Sequence, residues 1–143
     1  MYFKINTSQP QDILSLFENT GSNLKSDISI NQDIKRYVEK IYLRSSRYEI
    51  WISNELIALL AFYNNISANE IYVTSISISE KYQGMGYGKY LFQKLFAQAK
   101  FDEVKSVRLE VKHYNERALS FYNSLNFVVI SKQNLNLVLE KTL

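Results

Sequence analysis

The sequence predicts a mixed α/β (α+β) fold built as one domain over residues 1–143, and three observations carry that expectation. Short runs of apolar, β-branched and aromatic residues alternate with segments in which apolar residues recur every three and four positions, so strand and helix periods interleave along the chain. No internal repeat, low-complexity tract or proline-rich linker breaks that pattern, and the single proline, Pro10, sits near the N-terminus. The length suits one hydrophobic core, and a hydrophobic content of 46% is that of an ordinary soluble chain.

Tyr2 to Asn6 alternates and ends in a polar cluster, which reads as a strand. Ser8 with Gln11 three residues on forms a capping-box signature with Pro10 in the first turn, so a helix is expected over roughly Gln9 to Asn19. Gly21 to Ser29 reads as loop, and Ile34, Tyr37, Val38, Ile41 and Tyr42 recur at helical spacing in a second helix from about Gln32 to Arg44. Tyr48 to Ile52 and Leu56 to Tyr63 flank the polar break Ser53-Asn54-Glu55, as in an antiparallel hairpin. Glu70 to Ser79 is a long β-rich stretch. Beyond it Tyr87, Leu91, Phe92, Leu95, Phe96 and Ala99 define an amphipathic helix to about Lys100. Val104 to Val111 alternates as a strand, Asn115 to Leu125 is helical, and Phe127 to Ser131 and Leu135 to Glu140 close the chain as strands.

The charge is +3 with Lys and Arg spread along the chain, so no basic arm or stripe marks a nucleic-acid partner. There is no cysteine and one histidine, His113, which leaves no disulfide, no thiol nucleophile and too few soft ligands for a zinc site; no metal is expected. The start lacks a basic segment followed by an apolar run, and Leu56 to Tyr63 is far short of the roughly 20 residues of a membrane helix. The expectation is a cytoplasmic protein with no membrane partner.

Gln83-Gly84-Met85-Gly86-Tyr87-Gly88 lies between a strand and a helix. Such a turn aims the unpaired N–H groups of the first helical turn, together with the helix dipole, at whatever lies beyond, and glycines let anionic oxygens approach the main chain. A Walker loop would need Ser or Thr after Gly88-Lys89, where Tyr90 stands. A dinucleotide fingerprint would need glycine at position 89, which is Lys, although Glu110 near the end of the next strand could serve as its ribose acid.

QGMGYG also matches Q/R-x-x-G-x-G/A, and Ile76 to Gly84 resembles the run of strand four into the pyrophosphate loop of the GNAT superfamily of N-acetyltransferases. Asn115-Glu116-Arg117-Ala118, Phe121-Tyr122 and Asn126-Phe127 resemble that family's second motif, N-x-x-A-x-x-F/L-Y-x-x-x-G-F, with Asn126 in place of the glycine. Asn is the next most tolerant residue at positive φ, so the helix stop is kept. The resemblance covers most of the chain and implies the GNAT fold, a mixed, mostly antiparallel central sheet flanked by helices.

It further implies transfer of an acetyl group from acetyl-CoA, the co-substrate, to a primary amine by direct attack in a ternary complex. By the same resemblance Gln83, Gly84, Met85, Gly86, Tyr87, Gly88 and Lys89 hold the coenzyme, the main chain of Ile76 and Ile78 lines its pantetheine arm, and Asn115 contacts it. Tyr122 matches the tyrosine that donates to the departing thiolate. Glu70 has the offset of a family base, and a carboxylate in a partly apolar cleft would take a proton directly or through water; many relatives use only waters and backbone carbonyls. His113, the one imidazole of the chain, is an alternative base, and Lys81, Lys89 and Lys94 could reach phosphates. The acceptor, a small molecule or peptide amine, is assigned to Leu24 to Arg47 and the segment around Gln133 to Asn136. Homodimerisation is an expectation from the resemblance alone. Two further readings stand beside it, a non-catalytic CoA-binding sensor and a nucleotide-binding oxidoreductase module using Glu110.

Overall fold

The computed structural model describes residues 1–21 and 31–143. Most of the loop expected over residues 21–29, and the first part of the expected acceptor segment, lie outside the described residues. The elements are β1 (Tyr2–Ile5), α1 (Pro10–Glu18), α2 (Asn31–Arg44), β2 (Ser46–Ile52), β3 (Glu55–Asn65), β4 (Glu70–Ile78), a 3₁₀ turn (Glu80–Tyr82), α3 (Tyr87–Phe101), β5 (Ser106–Lys112), α4 (Glu116–Ser124), β6 (Val128–Gln133) and β7 (Asn136–Thr142). Their order is the one that the sequence periods specify. The strands form a seven-stranded sheet in the order β1-β2-β3-β4-β5-β7-β6. Pairing of β1 with β2, β2 with β3, β5 with β7 and β6 with β7 is antiparallel, and that of β4 with β5 is parallel. No helix among the described residues is long and apolar enough to cross a membrane.

The chain divides into two compact units, Met1–Phe62 with Ser75–Gln93 and Tyr63–Thr74 with Lys94–Leu143. In the first unit, the β2–β3 hairpin closes on Ser53 and Asn54, both at positive φ (51° and 62°), as a two-residue primed turn requires. Alternation along β3 then divides its side chains between two faces. Leu59 and Ala61 pack with Ile13, Leu16 and Phe17 of α1 and Val38 and Ile41 of α2, and the register shift at Ile50/Trp51 lets Leu56 join them. On the opposite face Phe62 meets Tyr48 at 5.1 Å, Tyr48 meets Phe3 at 5.4 Å, and Phe3 reaches Tyr90 of α3 at 6.1 Å.

The N-terminus of α1 differs from the sequence expectation by one residue. Its cap is Gln9, whose main-chain N–H donates to Asp12 Oδ2 at 2.8 Å, with Pro10 in the first turn. Ser8 is drawn away by Glu49 of β2, which is fully buried and accepts from the Ser8 N–H at 2.9 Å and from the Ser8 hydroxyl. Glu49 also accepts from the Thr7 N–H (3.1 Å), the Thr7 hydroxyl (2.6 Å) and Trp51 Nε1 (3.2 Å). Arg47, also buried, lies 3.6 Å from the carboxylate and donates to Ser8 Oγ, the Ser8 carbonyl and the Tyr42 carbonyl. A paired and fully hydrogen-bonded buried charge of this kind pins the β1–α1 connection onto β2.

The second unit contains the later part of α3, from Lys94, together with β5, α4, β6 and β7. Phe127 packs on Phe96 at 6.0 Å and on Tyr122 at 5.7 Å, while Lys141 Nζ lies over the Phe96 ring and donates to the Leu125 carbonyl, which closes the end of α4. Asn126 stands at φ 69°, the left-handed conformation that ends the helix. The last strand pair carries an edge in which every residue of β6 is exposed, and its ladder breaks between Val129 and Ser131.

Candidate functional site

The first group of site residues follows from where β4 leaves its partner. The parallel ladder runs from Glu70 opposite Ser106 to Val73 opposite Leu109, and Ile76 and Ile78 lie beyond its last paired position. After Ile78 the chain makes the 3₁₀ turn and reaches Gly84 at φ 80° and Gly86 at φ 88°. A Cβ at either glycine would meet nothing within 4 Å, so these glycines are needed for backbone conformation and they front open space. The first backbone bond of α3 runs from the Tyr90 N–H to the Gly86 carbonyl at 3.0 Å, which places the N–H groups of Tyr87, Gly88 and Lys89 ahead of the first intrahelical donor. Met85 and Lys89 are exposed at this end, and Tyr87 is held edge-on by Tyr82 at 6.1 Å. The result is an open, glycine-lined helix N-terminus suited to an anion. Gln83 does not point into that space: its Nε2 donates to the Ile78 carbonyl at 2.9 Å and the Thr20 carbonyl at 3.1 Å. Lys81 pairs at 3.8 Å with Glu55, both side chains being largely exposed.

The second group lies in the other unit. Tyr122, on α4, is 7% exposed, and burial pushes its phenol above the ordinary pKa, so it stays protonated. Asn115 caps the same helix, its Oδ1 accepting from the Ala118 N–H at 3.2 Å. Glu70 stands at the head of β4, and its surroundings differ from the apolar cleft expected: Oε2 is 2.9 Å from Arg108 Nε. That same Nε donates to Glu140 Oε2 at 2.6 Å, because the register sets Arg108 opposite Glu140 and two pairs along from Glu70, on the same face of the sheet. Hydrogen bonding to Glu140 first, and then the charges of Glu70 and Glu140, raise the Arg108 pKa against the effect of burial. Arg108 was not singled out by sequence reasoning, since its partners depend on strand register. Glu110 is exposed on β5, opposite Val138. His113 is exposed, its main-chain N–H donating to the Leu135 carbonyl at 2.9 Å and its ring lying edge-on to Tyr114 at 5.4 Å. Among the described residues no group of three or more His, Cys, Asp or Glu is gathered that could hold a metal ion.

A family model for the acetyltransferase (GNAT) family matches residues 14–127, and the chain belongs to that family of acetyltransferases. The fold is similar to that of PaiA N-acetyltransferase from Thermoplasma acidophilum, crystallised in complex with coenzyme A (TM-score 0.79, 17% identity, 100% of each chain covered). It is also similar to PH1933 from Pyrococcus horikoshii OT3 (TM-score 0.83, 13% identity, 99% of each chain). A third likeness is to the ribosomal-protein-S18-alanine N-acetyltransferase from Escherichia coli (TM-score 0.77, 14% identity, 99% of this chain and 94% of that one). No curated protein matches the sequence.

Proposed function

We propose that residues 1–143 act as one domain that transfers the acetyl group of acetyl-CoA to a primary amine of a small molecule or peptide by direct attack in a ternary complex. The observation that carries this reading is the open turn of Gly84 and Gly86 at the head of α3, where the leading N–H groups and the helix dipole suit a pyrophosphate. The coenzyme fits there because a Cβ-free, open main chain is what close approach of phosphate oxygens needs; it would supply the activated thioester. Residues 84–89 would hold its phosphates, and the main chain of Ile76 and Ile78, beyond the end of the β5 ladder, would serve its pantetheine arm and carbonyl.

In the reaction the amine nitrogen bonds to the carbonyl carbon as the carbon–sulfur bond breaks, and the proton lost by the amine balances the one gained by the thiol. Tyr122, kept neutral by burial, donates a hydrogen bond to the departing sulfur. Glu70, one carboxylate oxygen of which lies 2.9 Å from Arg108 Nε, is the carboxylate to which the resemblance assigns the amine proton, taken directly or through water. The test is thermal unfolding with acetyl-CoA, CoA, NAD and ATP added separately. At about 100 times Kd a native-state ligand adds about 2.7 kcal/mol, roughly 5–10 °C for a chain of this size. A rise with both forms of the coenzyme and not with NAD or ATP supports the reading, and release of free thiol over a panel of amines then identifies the acceptor. No shift with either coenzyme form overturns it.

A further inference from the structure

Gln83 belongs to the glycine-loop motif, yet its amide faces inward and its Nε2 is committed to two backbone carbonyls. One of these, Ile78, ends β4; the other, Thr20, lies just past α1. A second bond joins the same two places, from the Glu80 main-chain N–H to the Asn19 carbonyl at 2.8 Å. Carbonyls at the end of a helix have no intrahelical partner, and here the approach to the glycine loop satisfies them. Residues 84–86 themselves are sparsely held: among the described residues their one main-chain bond is that accepted by Gly86 from Tyr90. Their placement therefore falls to the anchors on either side. α1 is a firm anchor, because Ile13, Leu16 and Phe17 are buried in the helix–strand core.

We infer that the end of α1 is the footing of the coenzyme loop, and that Gln83 and Glu80 are positioning residues that hold the loop in its binding conformation without touching the coenzyme. The inference rests on the acetyl-CoA reading above. Its physical content is preorganisation: a loop already fixed loses less freedom when the ligand binds.

Three variants test it by calorimetric titration with acetyl-CoA and with CoA. Gln83→Met keeps the length of the side chain and removes its donors. Glu80→Pro removes the other donor together with the Glu80 carboxylate, and Ser79, at φ −54° and ψ 136°, already has the extended conformation that a residue before proline requires. Gln83→Arg restores donors. The expected result is that Gln83→Met and Glu80→Pro each raise Kd about tenfold, equally for acetyl-CoA and CoA, and that Gln83→Arg returns it to within about threefold of wild type. Weakening by Gln83→Met with wild-type affinity in Glu80→Pro would mean that Gln83 contacts the coenzyme itself, and overturns the inference. Wild-type affinity in both overturns it as well. Failure of the unmodified protein to bind acetyl-CoA is a different outcome, which removes the proposed function and the footing with it. Gln83→Glu, isosteric and without donors, replaces Gln83→Met if the latter does not fold.

Discussion

Replacing Glu49 by Gln isolates the buried ion pair that ties the start of the chain to β2. Five donors converge on this carboxylate: the N–H and hydroxyl of Thr7, the N–H and hydroxyl of Ser8, and Trp51 Nε1. An amide keeps one acceptor oxygen and turns an NH₂ group toward the donors on the other side, leaving buried N–H groups unsatisfied. Arg47, 4% exposed, simultaneously loses its counter-charge. Breaking a buried pair in this way costs about 3–5 kcal/mol, a large share of the roughly 5–15 kcal/mol that holds a domain together. The unfolding midpoint should fall by about 10 °C. Burial alone would raise the Glu49 pKa, but the bonds from the Ser8 and Thr7 side chains, the Ser8 main chain and Trp51 outweigh it and the net shift is downward. With the folded-state pKa below the unfolded one, the stabilisation is complete above the unfolded value of about 4.3 and is lost as pH falls through the folded value. Urea unfolding of both proteins at pH 7 and at steps down to pH 3 reads both effects, and the Gln variant should show a flatter acid limb. A loss below about 1 kcal/mol at pH 7, or an unchanged acid limb, would refute the assigned role of the pair.

Other changes address the site. Tyr122→Phe should lower kcat by about 100-fold or more with little change in acetyl-CoA affinity, and because the phenol is shifted upward by burial, the wild-type rate should show no titration from this group below pH 10; stopped-flow thiol release against pH checks both. Gly86→Ala places a Cβ residue at φ 88° in open space, so about 1–2 kcal/mol of backbone strain should lower stability while acetyl-CoA affinity falls further, as paired unfolding and titration experiments would show. Glu70→Gln should reduce kcat by about 100-fold at unchanged coenzyme Kd; an unchanged kcat would assign proton removal to water and backbone carbonyls.

The fold was legible because each element carries its own period. β3 is a short apolar run buried from Leu56 to Phe62, α3 repeats at three and four, and Ser53-Asn54 and Asn126 stand where a left-handed conformation is needed. The helix cap was misplaced by one residue for a reason no local window contains: Ser8 answers to a carboxylate 41 residues away. The turn at Gly84 and Gly86 and the helix cap at Asn115 were readable because both are local features of the backbone. The partners of Glu70 were not, since strand register alone brings Arg108 and Glu140 to it. Gln83 illustrates the same limit, a motif residue whose side chain serves the backbone of two other elements.

The break in the β6 ladder has a bearing on how the protein behaves in crowded solution. β6 sits at the rim of the sheet and presents Val128, Val129 and Ile130, all well exposed, a composition that on a flat rim would template the addition of a foreign strand. Ile130 is the extra residue that throws the spacing out between Val129 and Ser131, and Lys132 follows it with a charge. An incoming strand would find its hydrogen bonds out of step after two residues. The irregularity thus acts as a guard against fibrous self-association, and shortening the strand by that one residue would turn a tolerated apolar rim into an adhesive one.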